Sequence, residues 1–311
     1  MGEVISTINL TKIYGNVRAV DRLNLSIKEG EIYGFLGLNG AGKTTTIRML
    51  LAMVGPTSGR SYLQGKEINK RNTAIWKDVG YIVETPYSYP QLTVEENLDL
   101  VAKLRGIENG KSLSEIIERL GLGEYRHIRA KNLSMGNGQR LGIAKALIHK
   151  PKILLLDEPT NGLDPAGIVE VRKLLGNLAK NRGVTILISS HKLDEISKLA
   201  SKIGIIHEGR LVREMDGNQI ESRLKKSLII GGRDISAMKS ILTQAGYKPW
   251  LRNETNGGDS YLQIDEERAV IFPDKIATLL VNASHPPTLI KIERENLESY
   301  FLRTINKSEG V

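Results

Sequence analysis

The sequence predicts an α/β fold with a mainly parallel sheet, followed by a smaller α+β unit. Three observations predict it. Continuous apolar runs at Ile32 to Leu36, Ile153 to Leu156 and Val184 to Ser189 have the length of strands buried on both faces. Segments of helical length separate those runs, and strands alternating with helices imply parallel pairing through crossovers. Past about Gly217 the order becomes strand, helix, strand, strand, helix, strand, which is the ferredoxin-like arrangement.

Taken in order, residues 4–36 read as short strands with a turn at Glu29-Gly30. A helix follows over Thr45 to Met53, and Gly55-Pro56-Thr57-Ser58-Gly59 is a turn cluster. Val79 to Val83 is a further strand. Residues 92–149 shift to helical spacing, with Val94, Leu98 and Val101, then Leu113, Ile116, Ile117 and Leu120, three or four residues apart, which predicts a helical subdomain. After the strand at Ile153, a helix runs from Ala166 to Asn181. In the last part, Ser227 to Gly231, Tyr247 to Arg252, Tyr261 to Asp265 and Thr288 to Ile292 read as strands. Ser236 to Ala245 and Asp274 to Ala283 read as helices, Gly257-Gly258-Asp259 as the central hairpin turn, and Glu295 to Ile305 as a final helix. These signals divide the chain into a domain at 1–217 and a second at 218–311.

Composition bounds the function. No apolar run approaches the roughly 18 residues needed to cross a bilayer, so this subunit is not expected to span a membrane. The N-terminus lacks a basic stretch followed by an apolar core, so no secretory signal is expected. With no Cys, disulfides and thiolate metal sites are excluded, which suits a reducing cytosol. The formal net charge of +9 is unevenly placed: residues 1–220 hold 31 Lys and Arg against 23 Asp and Glu, while residues 221–311 hold 13 against 12. Such an excess attracts nucleotide, an anionic membrane surface or nucleic acid, and a merely well-solvated surface explains it equally. No basic block with interleaved aromatics stands out, so nucleic acid is not expected as a partner.

Two phosphate-binding devices occur in the chain. Gly37-Leu38-Asn39-Gly40-Ala41-Gly42-Lys43-Thr44 fits the spacing G-x-x-x-x-G-K-[ST] between a strand and a helix. The loop N–H groups cradle phosphates, Lys43 reaches the β- and γ-phosphates, and the Thr44 hydroxyl sits on Mg²⁺. The second device is a Ser-x-Gly turn at Ser134-Met135-Gly136 that opens a helix, where unpaired N–H groups and the helix dipole favour an anion. Two such devices suggest one nucleotide held between two molecules. Asp157 ends an apolar strand, the expected place for a carboxylate directed at Mg²⁺. Glu158 follows it and is the candidate general base for an attacking water. A helix cap or a surface acidic pair would not explain four apolar residues before this pair and Pro159 after it.

With Leu133-Ser134-Met135-Gly136-Asn137-Gly138-Gln139-Arg140, Asn161-Gly162-Leu163-Asp164 and Ser189-Ser190-His191 added, residues 3–217 resemble the ATP-binding cassette (ABC) ATPases, with five motifs in that family's order. The resemblance implies a P-loop core with a helical subdomain and a head-to-tail dimer. In that dimer Ser134, Gly136 and Gln139 of one copy contact nucleotide on the P-loop of the other. It implies catalytic roles for Lys43, Glu158 and His191, the last contacting the γ-phosphate and helping to orient water. It implies ATP contacts at Tyr14, Gly37, Asn39, Gly40, Ala41, Gly42, Lys43, Thr44 and Thr45, with Tyr14 stacked on adenine; a buried core Tyr is the alternative there. Asp164 belongs by resemblance to a loop communicating between the two sites.

One position departs from the family pattern. Most cassettes carry a Gln that touches Mg²⁺ after the strand at Val79 to Val83; here the residue is Glu84, whose carboxylate can still ligate Mg²⁺ beside Thr44 and Asp157. Glu84, the following Tyr-Pro-x-Leu-Thr-x-x-Glu-Asn-Leu and the ending Glu295-Asn296-Leu297-Glu298-Ser299-Tyr300-Phe301 resemble the bacitracin-resistance and lantibiotic-immunity type of exporter ATPase. The implied protein is an ATP- and Mg²⁺-dependent ATPase at the inner face of the cell membrane, paired with a second copy and a separate transmembrane permease. Tyr87, Tyr89 and Pro90 either line a groove for that partner or cap the sheet. The domain at 218–311 is expected to aid dimerisation or to regulate. A non-transport cassette acting on ribosomes or nucleic acid is the alternative, although such relatives carry two cassettes or a long coiled-coil insertion. A binding module without turnover is disfavoured by the presence of Lys43, Glu158 and His191.

Overall fold

In the computed structural model, which describes residues 2–69, 72–107, 110–253 and 260–306, the first unit spans Met1–Gln219 and the second Ile220–Val311. The first unit runs β1 (Glu3–Tyr14), β2 (Val17–Lys28), β3 (Ile32–Leu36), α1 (Lys43–Leu50), β4 (Ser58–Leu63), β5 (Lys66–Glu67) and β6 (Val79–Ile82). It continues with α2 (Val94–Leu104), α3 (Gly110–Arg119), α4 (Met135–Leu147), β7 (Ile153–Asp157), α5 (Pro165–Arg182), β8 (Thr185–Ser190), α6 (Leu193–Ser197), β9 (Lys202–His207) and β10 (Arg210–Asp216).

Two sheets form from these strands. The antiparallel sheet has the order β2-β1-β4-β5, and Gln64 and Gly65, both at positive φ, make its last two-residue turn. The second sheet has the order β10-β9-β3-β8-β7-β6, parallel except for β10 at its edge. Every residue of β3, β7 and β8 is buried, as expected of central parallel strands. Ile47, Met49 and Leu50 of α1 join Leu10, Leu23 and Ile27 of one sheet and Phe35, Leu155 and Leu187 of the other in one apolar core. The carboxyl ends of β3, β7 and β8 therefore meet at one edge, with Leu36 opposite Ser190 and Asp157 opposite Ser189. Loops beyond that edge are where ligands bind in open α/β sheets.

The helical segment holds α2, α3 and α4. Thr93 caps α2 in a reciprocal box with Glu96, each side chain taking the other's backbone N–H. Asn97, buried in the next turn, accepts from the Tyr89 N–H at 2.8 Å and donates to the carbonyls of Tyr89, Leu92 and Thr93 at 2.9–3.2 Å. It fixes the loop that carries Tyr87 and Tyr89. Asn97→Leu is expected to lower unfolding stability by about 1–2 kcal/mol, because the Tyr89 N–H loses its acceptor, while the carbonyls of Tyr89, Leu92 and Thr93 keep the N–H groups of Leu92, Ala130 and residue 97. Urea unfolding monitored by circular dichroism checks the value.

The second unit runs α7 (Ile220–Arg223), β11 (Lys226–Gly231), α8 (Ile235–Gln244), β12 (Trp250–Asn253), β13 (Ser260–Ile264), α9 (Glu267–Ile271), α10 (Pro273–Asn282), β14 (Leu289–Arg294) and α11 (Leu297–Asn306). Its antiparallel sheet has the order β12-β13-β11-β14, the ferredoxin-like order expected from the sequence. Leu228 and Ile230 pack with Met238, Leu242, Ile276 and Leu280 from the two long helices. The strand expected from Tyr247 starts instead at Trp250, after Pro249, which has no N–H to give to a ladder. The final helix starts two residues later than expected, where Asn296 accepts the Ser299 N–H at 2.7 Å. The expected turn at Gly257-Gly258-Asp259 lies outside the described residues. Among the described residues no helix is long and apolar enough to cross a membrane.

Candidate functional site

Gly37 to Thr44 connects β3 to α1, and α1 starts at Lys43, two residues earlier than the sequence suggests. The loop is anchored by the Gly37 N–H, which donates to the Ser190 carbonyl at 3.3 Å. Gly40 and Gly42 stand at φ +83° and +105°, conformations that side chains rarely adopt. A Cβ at Gly42 would lie 2.4 Å from the Ala19 carbonyl oxygen, so this position demands glycine. The Lys43 ammonium, buried, donates to the carbonyls of Gly37 at 2.7 Å and Leu38 at 3.2 Å and stands 3.6 Å from Glu158 Oε1. Gly40 has open space around its Cβ position.

The ends of β7 and β8 bring the acids to this loop. Asp157, 2% exposed, accepts the Thr44 hydroxyl on Oδ2 at 2.7 Å and the Ser189 hydroxyl on Oδ1 at 2.5 Å. Glu158 stands at φ +48°, a left-handed conformation. Its N–H is held by the carbonyl and hydroxyl oxygens of Ser189 at 3.2 and 3.1 Å, and such strain persists where surrounding bonds over-determine it. The result turns the Glu158 carboxylate toward Lys43 and toward His191, whose Nδ1 lies 3.0 Å from Oε2. Ser189 is therefore a site residue that sequence reading quoted within a motif without giving it a task.

Other expected residues fall around this centre. Tyr14, at the end of β1, is 45% exposed with the Lys12 ammonium 4.9 Å over its ring, so it is not a buried core tyrosine. Ser134 caps α4 by accepting the Asn137 N–H at 3.2 Å, and Ser134 and Met135 are exposed. Gly136 lies against Gly162, where a Cβ would be 3.0 Å from the Gly162 carbonyl. Gln139 is different: it is buried, and its amide donates to the Pro159 carbonyl of the same chain at 2.9 Å. Asp164 caps α5 through the Gly167 N–H at 3.0 Å. Glu84, at φ +56° and with a side chain 60% exposed, binds Arg48 of α1 at 2.6 Å.

Next to Glu84 a groove of about 480 Å³ runs between α1 and the helical segment, lined among others by Arg48, Tyr81, Pro86, Tyr87, Lys145 and His149. Tyr87 lines it and meets Tyr89 edge to face at 5.7 Å. Lys145 donates to the Tyr87 carbonyl, and burial pushes its ammonium below the usual lysine range. Burial likewise lowers the His149 imidazole, with the Arg105 charge acting in the same direction.

The donors at the phosphate loop are hard oxygens, a hydroxyl from Thr44 and a carboxylate from Asp157, which suit Mg²⁺ better than a soft metal. Among the described residues no group of three His, Cys, Asp or Glu side chains gathers as a metal site, and Mg²⁺ bound mainly through nucleotide phosphates needs none.

A P-loop at the carboxyl edge of a parallel sheet, faced by an aspartate and a glutamate from the end of β7, defines an NTP-hydrolysing enzyme of the P-loop class. The ABC transporter family model matches residues 20–161. The bacitracin transport ATP-binding protein BcrA of Bacillus licheniformis is 49% identical over 73% of this chain and 74% of its own. The lantibiotic transport ATP-binding protein SrtF of Streptococcus pyogenes is 40% identical over 68% of this chain and 91% of its own. A dimeric post-hydrolysis structure of the ATP-binding cassette MJ0796, bound to ADP and Pi, superposes with a TM-score of 0.64 at 29% identity, covering 68% of this chain and 98% of that one. The chain belongs to the ABC transporter family as an ATP-binding, ATP-hydrolysing subunit. The cassette MJ0796 in that structure is a dimer.

Proposed function

We propose that this chain is the ATPase of an exporter that removes peptide antibiotics of the bacitracin or lantibiotic kind, working as a head-to-tail dimer on the inner face of the membrane beneath a separate permease. The observation that carries the ATPase part is the placement of Glu158 between Lys43 at 3.6 Å and His191 at 3.0 Å, beside the Thr44–Asp157 pair. Lys43 and N–H groups of the loop beyond Gly37, whose own N–H is tied to Ser190, hold the phosphates, with Thr45 in the first turn of α1 behind them. Tyr14 presents an open ring for adenine. Thr44 and Asp157 would hold Mg²⁺, which when bound offsets phosphate charge. Glu84 is a less direct ligand, since Arg48 already takes its carboxylate.

Hydrolysis joins a water oxygen to the γ-phosphorus and breaks its bond to ADP, while a proton leaves the water. Glu158 takes that proton, and His191, bonded to the Glu158 carboxylate, fixes the geometry. Ser134 and Gly136, at the open start of α4, act on the nucleotide of the other copy. Gln139, bonded inward to Pro159, supports the turn before Asp164 rather than reaching across. The groove beside Glu84 receives a segment of the permease. The names of BcrA and SrtF support the export reading, and they support no single transported molecule.

The test is co-expression with its candidate permease, a protein with about six apolar segments of roughly 20 residues, in a bacitracin-sensitive bacterium. Wild type is expected to raise the inhibitory concentration several-fold, and Lys43→Ala to abolish the gain. An unchanged sensitivity to bacitracin and lantibiotics, with ATPase activity intact, removes the antibiotic reading. Copurification with ribosomes and no membrane protein would favour the non-transport alternative.

A further inference from the structure

Behind the phosphate loop lies a clamp whose residues carry no role in the site above. Asp21, in β2, is 4% exposed, and its Oδ2 lies 2.6 Å from both Nε and Nη2 of Arg210, the first residue of β10. Its Oδ1 takes Arg18 at 3.1 Å and Arg22 at 3.4 Å. Burial pushes the Asp21 carboxyl up, but the Arg210 hydrogen bond and the Arg18, Arg210 and Arg22 charges outweigh it and hold the group below its ordinary range.

The backbone around this pair explains what it clamps. The Asp21 N–H donates to the Gly209 carbonyl at 2.9 Å, and the Gly209 N–H donates to the Ala41 carbonyl at 3.0 Å. The turn Glu208-Gly209 between β9 and β10 is thus wedged between β2 and the phosphate loop. No side chain separates the three backbones: a Cβ at Gly42 would lie 2.4 Å from the Ala19 oxygen and 3.4 Å from Gly209 Cα. A Cβ at Gly209 would lie 2.9 Å from both the Ala19 oxygen and Val20 Cα. Gly209 stands at φ +77°, which glycine adopts freely, and Glu208 at +47°, a conformation its side chain disfavours. Whatever sets the position of this turn also sets the back wall of Ala41-Gly42 in the phosphate loop.

We propose that Asp21 and Arg210 are positioning residues for ATP binding, pinning the β9–β10 turn against the phosphate loop so that its N–H groups are aligned before nucleotide arrives. Asp21 touches no substrate and acts through Gly209 and Gly42. The inference rests on the reading of Gly37 to Thr44 as the nucleotide site.

The experiment measures ATP affinity by calorimetry and the split between KM and kcat for the full chain carrying Asp21→Asn, Arg210→Lys or Arg22→Gln, with Lys43→Ala as the non-binding control. Asp21→Asn is expected to raise the ATP Kd and KM roughly tenfold while kcat at saturation stays within about twofold. Arg210→Lys, whose point charge cannot span both contacts, is expected to show the same split. Arg22→Gln, the longest of the contacts, is expected to behave as wild type. Amide hydrogen exchange over residues 37–44 is expected to speed up in the first two variants without nucleotide. Lower thermal stability with unchanged KM and unchanged exchange in the loop overturns the proposal and leaves the pair a stability element; if Asp21→Asn does not fold, Arg210→Lys decides by the same readouts. Equal ATP affinity in wild type and Lys43→Ala would instead overturn the nucleotide reading of the loop itself.

Discussion

Glu158→Gln is expected to cut steady-state ATP hydrolysis by about 10²–10⁴-fold while leaving ATP affinity within a few-fold of wild type. The side chains are nearly the same shape, so Gln keeps the packing at the end of β7 and can still bond to His191, but its amide cannot accept the proton of an attacking water. The strain at Glu158, φ +48°, lies in the backbone and is unaffected by the exchange. Removing the negative charge 3.6 Å from Lys43 frees the ammonium from a competing anion, which favours phosphate binding if it changes it at all. Release of inorganic phosphate, followed alongside ATP binding on the same preparation, checks both halves. A variant that hydrolyses at the wild-type rate would remove Glu158 as the base and shift attention to His191.

The residues of this centre were legible because each sits at a strand end whose strand announces itself. Ile32 to Leu36 and Ile153 to Leu156 are unbroken apolar runs, so the glycine loop after one and the acid pair after the other are placed without knowledge of the fold. Lys202 to His207, with four buried residues, escaped notice although it has the same character, while others have the opposite one. Arg210 to Asp216, at a sheet edge, has one buried residue among seven, and Ser58 to Leu63 exposes its first three; such segments read as loops because their order comes from pairing, not from burial. Ferredoxin-like order in the second unit was readable from alternation alone. Long-range partners were not: Arg210 lies 189 positions from Asp21, and nothing local in either marks the pair. Gln139 shows the reverse limit, since the motif that contains it faces outward at Ser134 while its own amide turns inward to Pro159.

Mixing two inactive variants is expected to restore activity, and this result separates a site shared between copies from one built within a single chain. Lys43→Ala removes the phosphate contact and Ser134→Arg blocks the open turn before α4; each protein alone has both its sites broken and should lose at least about 10²-fold in turnover. Ser134 is exposed, so arginine there does not disturb the core, and Lys43→Ala leaves the α4 turn untouched. In a head-to-tail mixed dimer one site combines both lesions. The other joins the intact loop of the Ser134→Arg chain to the intact turn of the Lys43→Ala chain. Random pairing of equal amounts makes half the dimers mixed, so recovery of up to about a quarter of wild-type activity is expected if sites act independently, and less if both must fire together. If Ser134 served the nucleotide of its own chain, every mixed dimer would carry one broken element in each site and mixing would restore nothing. Phosphate release measured across a range of mixing ratios gives a maximum near equal amounts in the first case and a flat line in the second.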